Sequence, residues 1–88
     1  MELEQLRAFA AVAETGSFTR AAEKLYTSHS SISRAVSALE RELGVSLVER
    51  GNRVSGLTRA GEILLRGAKD ILAREEELKK EIEKSIEA

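Results

Sequence analysis

The sequence predicts a mostly helical fold: three short helices, a two-stranded hairpin and one long C-terminal helix. Three observations predict it. Apolar residues recur at three- and four-residue steps over most of the 88 residues, that period breaks between Leu47 and Leu57, and no proline interrupts the pattern. A chain of this length holds one modest core.

The elements follow in order. Leu3, Leu6, Phe9, Ala10 and Ala13 place a first helix from about Glu2 to just before Gly16, a residue suited to a left-handed stop. Ser17 is positioned to cap a second helix of about two turns, with Phe18, Ala21, Ala22 and Leu25 as its inner face. Tyr26, Thr27 and Ser28 form a break. Either hydroxyl can cap a third helix, from about His29 to Leu43, which Gly44 stops. Ile32, Val36, Leu39 and Leu43 make an apolar stripe on it, and Ser30, Arg34, Ser37 and Arg41 fall about half a turn away. Leu47 to Arg50 and Val54 to Leu57 flank Gly51-Asn52-Arg53, which reads as two strands and a tight turn. Thr58 can cap a last helix of more than about twenty-five residues, with Ala60, Ile63 and Leu64 expected to pack inward.

Residues 1–58 therefore read as a winged helix-turn-helix, a three-helix core with a two-stranded wing. Residues 59–88 read as a long dimerisation helix.

Composition excludes several function classes. There is no Cys, which removes disulfides and thiolate metal sites, and a single His. No apolar run approaches the roughly 20 residues of a membrane span, and the N-terminus lacks a signal-peptide pattern, so the chain reads as cytoplasmic and away from membranes. With no Gly-rich phosphate loop and no pair of acids on a plausible pocket wall, neither an enzyme nor a metal or other cofactor is expected. The net charge is −1, yet residues 75–88 carry six acids and three bases while 17–59 carry seven bases and four acids. The basic surplus sits in the helix-turn-helix and the wing.

Double-stranded DNA is the partner this pattern favours. A recognition helix inserts its N-terminal half into the major groove, so that half must be small and polar, and Ser28, His29, Ser30, Ser31, Ser33, Arg34 and Ser37 satisfy the requirement. Arg34 can fork to a guanine or clamp a phosphate, the serines can bond phosphate or base edges, and His29 can reach a base edge near the helix start. In the wing, Arg50 and Arg53 are expected to contact the backbone or the minor groove. Each residue has a plainer account. Serines at a helix start also serve as caps, and Arg34 and Arg41 could pair with Glu40 or Glu42. The alternative function is a coiled-coil dimer that binds protein through a winged-helix body.

On the last helix, Leu64, Ala68, Ile71, Leu78 and Ile82 follow a heptad-like seam with Glu75 in the one polar slot. The body is expected to end at Ala68 and leave the helix beyond it uncovered, so a second subunit is expected there. The competing account is a helix folded back on the first one.

The stretch Leu6-Arg7-Ala8-Phe9, then Val12-Ala13-Glu14-Thr15-Gly16-Ser17-Phe18-Thr19-Arg20-Ala21-Ala22-Glu23-Lys24-Leu25, Ser33-Arg34, Leu39-Glu40, Glu42-Leu43-Gly44, Leu47, Arg50 and Leu57-Thr58-Arg59-Ala60-Gly61, closely resembles the N-terminal domain of LysR-type transcriptional regulators. The resemblance covers essentially the whole chain. It implies a homodimer joined through antiparallel linker helices, higher assembly in a full-length protein, and binding to an interrupted palindrome in bacterial promoters. The implied groove-reading positions are His29, Ser30, Ser31, Ser33 and Arg34, with Arg53 in the wing. This chain has His29 where the family usually has Gln, Ser30 and Ser31 where Pro or Ala is usual, Ala35 for Gln and Val48 for Phe. The family's effector-binding domain is missing here, so this chain is expected to be part of a longer protein, with any small-molecule sensing outside it.

Overall fold

The computed structural model describes residues 1–50 and 54–87, with the backbone alone at Arg50, Val54, Ser55 and Glu87. Its elements run α1 (Leu3–Thr15), α2 (Phe18–Lys24), α3 (His29–Leu43), β1 (Val48–Arg50), β2 (Val54–Leu57) and α4 (Arg59–Glu87).

Local hydrogen bonds set nearly every boundary. Glu2 opens α1 with a capping box: its carboxylate accepts from the Gln5 amide while its own N–H donates to Gln5 Oε1 at 2.9 Å. Gly16 closes the helix at φ 70°, its N–H donating to the Val12 carbonyl at 2.8 Å. Ser17 caps α2 by accepting from the Arg20 amide at 3.1 Å. Of the two hydroxyls in the break, Ser28 is the cap, accepting from the Ser31 amide at 3.1 Å. Gly44, at φ 71°, ends α3.

Between α2 and α3 the amides of Tyr26 and Thr27 donate back to the carbonyls of Glu23 and Ala22. This is the paired bonding of a helix end whose next residue is left-handed, and here that residue is Tyr26, at φ 56°. A side chain in that region costs about 1 kcal/mol or more.

Helix α1 is the hub of the core. Ala8, Ala10 and Ala11 flank Phe9 and Val12 on it, and these small residues let α2, α3 and α4 all approach closely. Ala21 and Ala22 of α2, Ile32, Val36 and Leu39 of α3, and Leu47 and Val48 complete the cluster. Among the described residues no buried side-chain polar atom lacks a partner.

Two expected core residues lie elsewhere. Leu43, the last residue of α3, is 40% exposed where the chain leaves the helix. On α4 the inward line is Ala60, Leu64 and Leu65 against the core, with Ala68 enclosed. Ile63 lies roughly a third of a turn off that line and points outward.

The hairpin pairs antiparallel, with Val48 opposite Leu57, Glu49 opposite Gly56 and Arg50 opposite Val54, and a register shift between Glu49 and Arg50. The segment before it is held from two sides. Leu47 N–H donates to Glu40 Oε2 of α3 at 2.8 Å. From the α4 side, the Thr58 hydroxyl donates to the Ser46 carbonyl at 2.6 Å and the Thr58 N–H to the Leu47 carbonyl at 3.1 Å. The same Thr58 oxygen accepts from the Gly61 amide at 3.0 Å, capping α4.

Helix α4 has 29 residues, about 43 Å of rise in a molecule 53 Å long. The body covers more of it than its shortness implied. Arg7 of α1 forms an ion pair with Glu75, about two turns beyond Ala68, so the expectation that the body ends at Ala68 is corrected. The same pair accounts for the polar interruption in the heptad: Glu75 faces this chain's own first helix.

Candidate nucleic-acid interface

The anchoring of α3 determines what it can present. Ile32, Val36 and Leu39 are buried, so the opposite side, with Ser30, Arg34 and Arg41, is turned to solvent. Ser28 and His29 are also exposed, and Ser31, Ser33 and Ser37 are half-buried along the flanks. The expected α3 set is thus brought to one end and side of a single helix. In the wing, the backbone of Arg50 pairs with Val54, while its side chain and all of Arg53 lie outside the described residues.

Charge pairing distinguishes this surface from an ordinary solvated face. Glu42 is taken by the Met1 amine at 2.8 Å, a bond that raises the amine's pKa, and Glu40 receives the Leu47 amide. Among the described residues neither acid is paired with Arg34 or Arg41. Among the described residues, Arg34 and Arg41 have no carboxylate partner, although ion pairs occur along α4, where Arg74 meets Glu77 and Glu81. Unpaired guanidiniums beside short hydroxyls can take phosphate oxygens and guanine acceptors.

The hydroxyls are ordered among themselves. Ser28 Oγ donates to Ser31 Oγ at 3.0 Å, and Arg34 Nη2 donates to the same Ser31 oxygen at 3.5 Å. His29 is placed differently from the serines. Its ring lies 5.7 Å from that of Phe18, tilted by 40°, so the imidazole leans toward the start of α2. A groove runs beside α3, lined by Ser31, Ser33, Arg34 and Ser37 of that helix and by the cap residue Glu2 with Glu4 and Arg7 of α1.

Sequence reasoning missed two neighbours of this face. Thr27 lines the same groove, and Tyr26 is 96% exposed at the turn. A break of two residues ahead of a cap was the only local sign of them.

The five seam residues of α4 divide into two groups. Leu64 packs on the core and Ala68 is fully enclosed, so neither belongs to an open face of the chain. Ile71, Leu78 and Ile82 are 45%, 45% and 57% exposed, and Ile86, which the heptad count passed over, is more exposed still. Among the described residues no helix is long and apolar enough to cross a membrane.

Comparison with known proteins agrees with this arrangement. Residues 3–62 match the family described as "Bacterial regulatory helix-turn-helix protein, lysR family". A probable RuBisCO transcriptional regulator of Porphyra purpurea is 51% identical over 75 residues, 85% of this chain and 24% of that protein. The Hca operon transcriptional activator HcaR of Escherichia coli (strain K12) is 46% identical over 87 residues, 99% of this chain and 29% of its own length. The chain thus spans about a quarter of such relatives. Among solved structures, the BenM_DBD/catB site 1 DNA complex superposes with a TM-score of 0.90 at 38% identity, covering 96% of this chain and 93% of that one. The CbnR_DBD-DNA complex gives 0.88 at 40% identity, covering 97% and 98%. With the caps, the anchored α3, the hairpin and the family match all falling on the same residues, the chain belongs to the lysR family of bacterial regulatory helix-turn-helix proteins.

Proposed function

We propose that this chain binds double-stranded DNA sequence-specifically as a homodimer, as the promoter-recognition part of a longer bacterial transcription regulator acting in the cytoplasm. The observation that carries the reading is the outer face of α3: among the described residues Arg34 and Arg41 have no carboxylate partner, and they stand near serine hydroxyls on a helix locked from behind. The likeness to BenM and CbnR domains in DNA complexes supports the same reading. Helix α3 enters the major groove by its N-terminal half, and the wing arginines meet the flanking backbone. An effector and assembly beyond the dimer belong to the rest of the protein.

Salt tests the proposal. Duplex binding should weaken steeply with ionic strength, with a log–log slope of about −0.9 per neutralised phosphate. No binding at low salt, or a flat response, would favour the protein-interaction alternative. Arg34→Ala should cost about 1 to 3 kcal/mol on the cognate site and much less on random duplex, because a bidentate guanine contact is specific while a phosphate contact is not. Equal losses on both would make Arg34 a backbone clamp.

A further inference from the structure

Resting on the DNA-binding reading above, the geometry points to Ser31 as a positioning residue for Arg34, one that sharpens discrimination at the base pair Arg34 reads.

The argument begins with what each hydroxyl is already doing. Ser28 is committed to the fold: its oxygen accepts the Ser31 amide and its proton goes to the Ser31 oxygen at 3.0 Å. Ser31 Oγ therefore accepts from Ser28 on one side and from Arg34 Nη2, at 3.5 Å, on the other. A serine oxygen has two lone pairs, and both are used. Ser28, Ser31 and Arg34 stand at three-residue steps, one above the next along the helix, which is why the chain of bonds can form. It couples the guanidinium to the helix N-cap, the most firmly placed polar group at this end of α3.

The consequence concerns entropy. An exposed arginine has many rotamers, and freezing one on binding costs about 0.5 to 1.5 kcal/mol. Among the described residues Arg34 makes no ion pair, and the Ser31 oxygen is the restraint on its head group. At 3.5 Å the contact biases the guanidinium without locking it. A fork already biased toward one orientation also discriminates among base edges, since a misaligned guanidinium can still find a phosphate but not the paired acceptors of guanine. Ser33 and Ser37 have no such bond among the described residues and serve the DNA directly.

The variant Ser31→Ala removes the oxygen but keeps the backbone amide that Ser28 accepts, so the cap and the fold survive. Three proteins are compared: wild type, Ser31→Ala and Ser31→Thr, which restores an oxygen at the same place. Each is titrated against its selected duplex, the set of single-base variants of that duplex, and a random duplex, with thermal unfolding measured in parallel. We expect Ser31→Ala to lose about threefold to tenfold of discrimination at the one base pair where Arg34→Ala also loses it, a larger loss than any on random duplex, with the unfolding midpoint unchanged. Ser31→Thr should recover it. An unchanged base profile in Ser31→Ala overturns the proposal. So does an equal loss on random duplex, which would make Ser31 a phosphate contact, and so does a shared loss at every base with a lowered midpoint, which would make it structural. If wild type selects no duplex at all, it is the DNA-binding reading that fails.

Discussion

Gly61→Ala should destabilise the domain by about 3 kcal/mol or more, although the same change in most helices is stabilising by about 0.5 to 1 kcal/mol. Gly61 sits in the first turn of α4, and its role is spatial. A Cβ there would lie 2.0 Å from the Leu47 carbonyl oxygen and 3.2 Å from Leu57 Cβ. Backbone cannot swing aside as a flexible side-chain tip can, so α4 must move off by about an ångström. That movement pulls on the Thr58 bonds to Ser46 and Leu47, and through Leu47 on the Glu40 bond to α3. The hairpin, α3 and α4 are thus loosened together. In a domain of this size the unfolding midpoint should fall by roughly 12 to 24 °C, read by circular dichroism. Gly67→Ala is the control: its Cβ would meet nothing within 4 Å, and it should hold or raise the midpoint. If the two variants melt together, the contact with Leu47 is not what keeps residue 61 a glycine.

The parts of the fold legible in the sequence are those made by bonds across three or four residues. Ser17, Ser28 and Thr58 cap, and Gly16 and Gly44 stop, because each such bond depends on local spacing alone. The outward face of α3 was legible for a related reason: Ile32, Val36 and Leu39 dictate the opposite side. What periodicity could not carry is where a neighbour ends. Leu64 and Ile82 are five full turns apart and share one line on α4, yet one rests on the body and the other is exposed. The Arg7 to Glu75 pair joins residues 68 apart, and the approach of Gly61 to Leu47 joins helix to loop. Neither leaves a local pattern, although an acid in a heptad core slot and a glycine in a first helical turn were the visible traces. Sequence reasoning likewise recognised the α3 hydroxyls but not that Ser28 and Ser31 bond each other.

That shared line on α4 leads to the second large effect, Leu78→Lys, which should turn the dimer into a monomer. Ile71, Leu78 and Ile82 lie on one face and are about half exposed, unlike Leu64, which packs on the core, and Ala68, which is fully enclosed. Burying such side chains against a second copy contributes roughly 1.5 to 3 kcal/mol each at full burial. A twofold interface counts every substitution twice, so a lysine at the middle position removes two apolar contacts and introduces two like charges. The fold of each protomer should be untouched, since Leu78 is 45% exposed and lies outside the core cluster, whereas Leu64→Lys should unfold the chain. Sedimentation equilibrium should find wild type dimeric and Leu78→Lys monomeric with an unchanged unfolding midpoint. On a duplex with both half-sites the variant should bind on the order of a hundredfold more weakly, because the second half-site is no longer tethered, while binding to a single half-site stays the same. A variant that remains dimeric would move the interface off this face. A dimer lost without any loss on the paired half-sites would mean that the two reading heads do not act together, and the long helix would need another purpose.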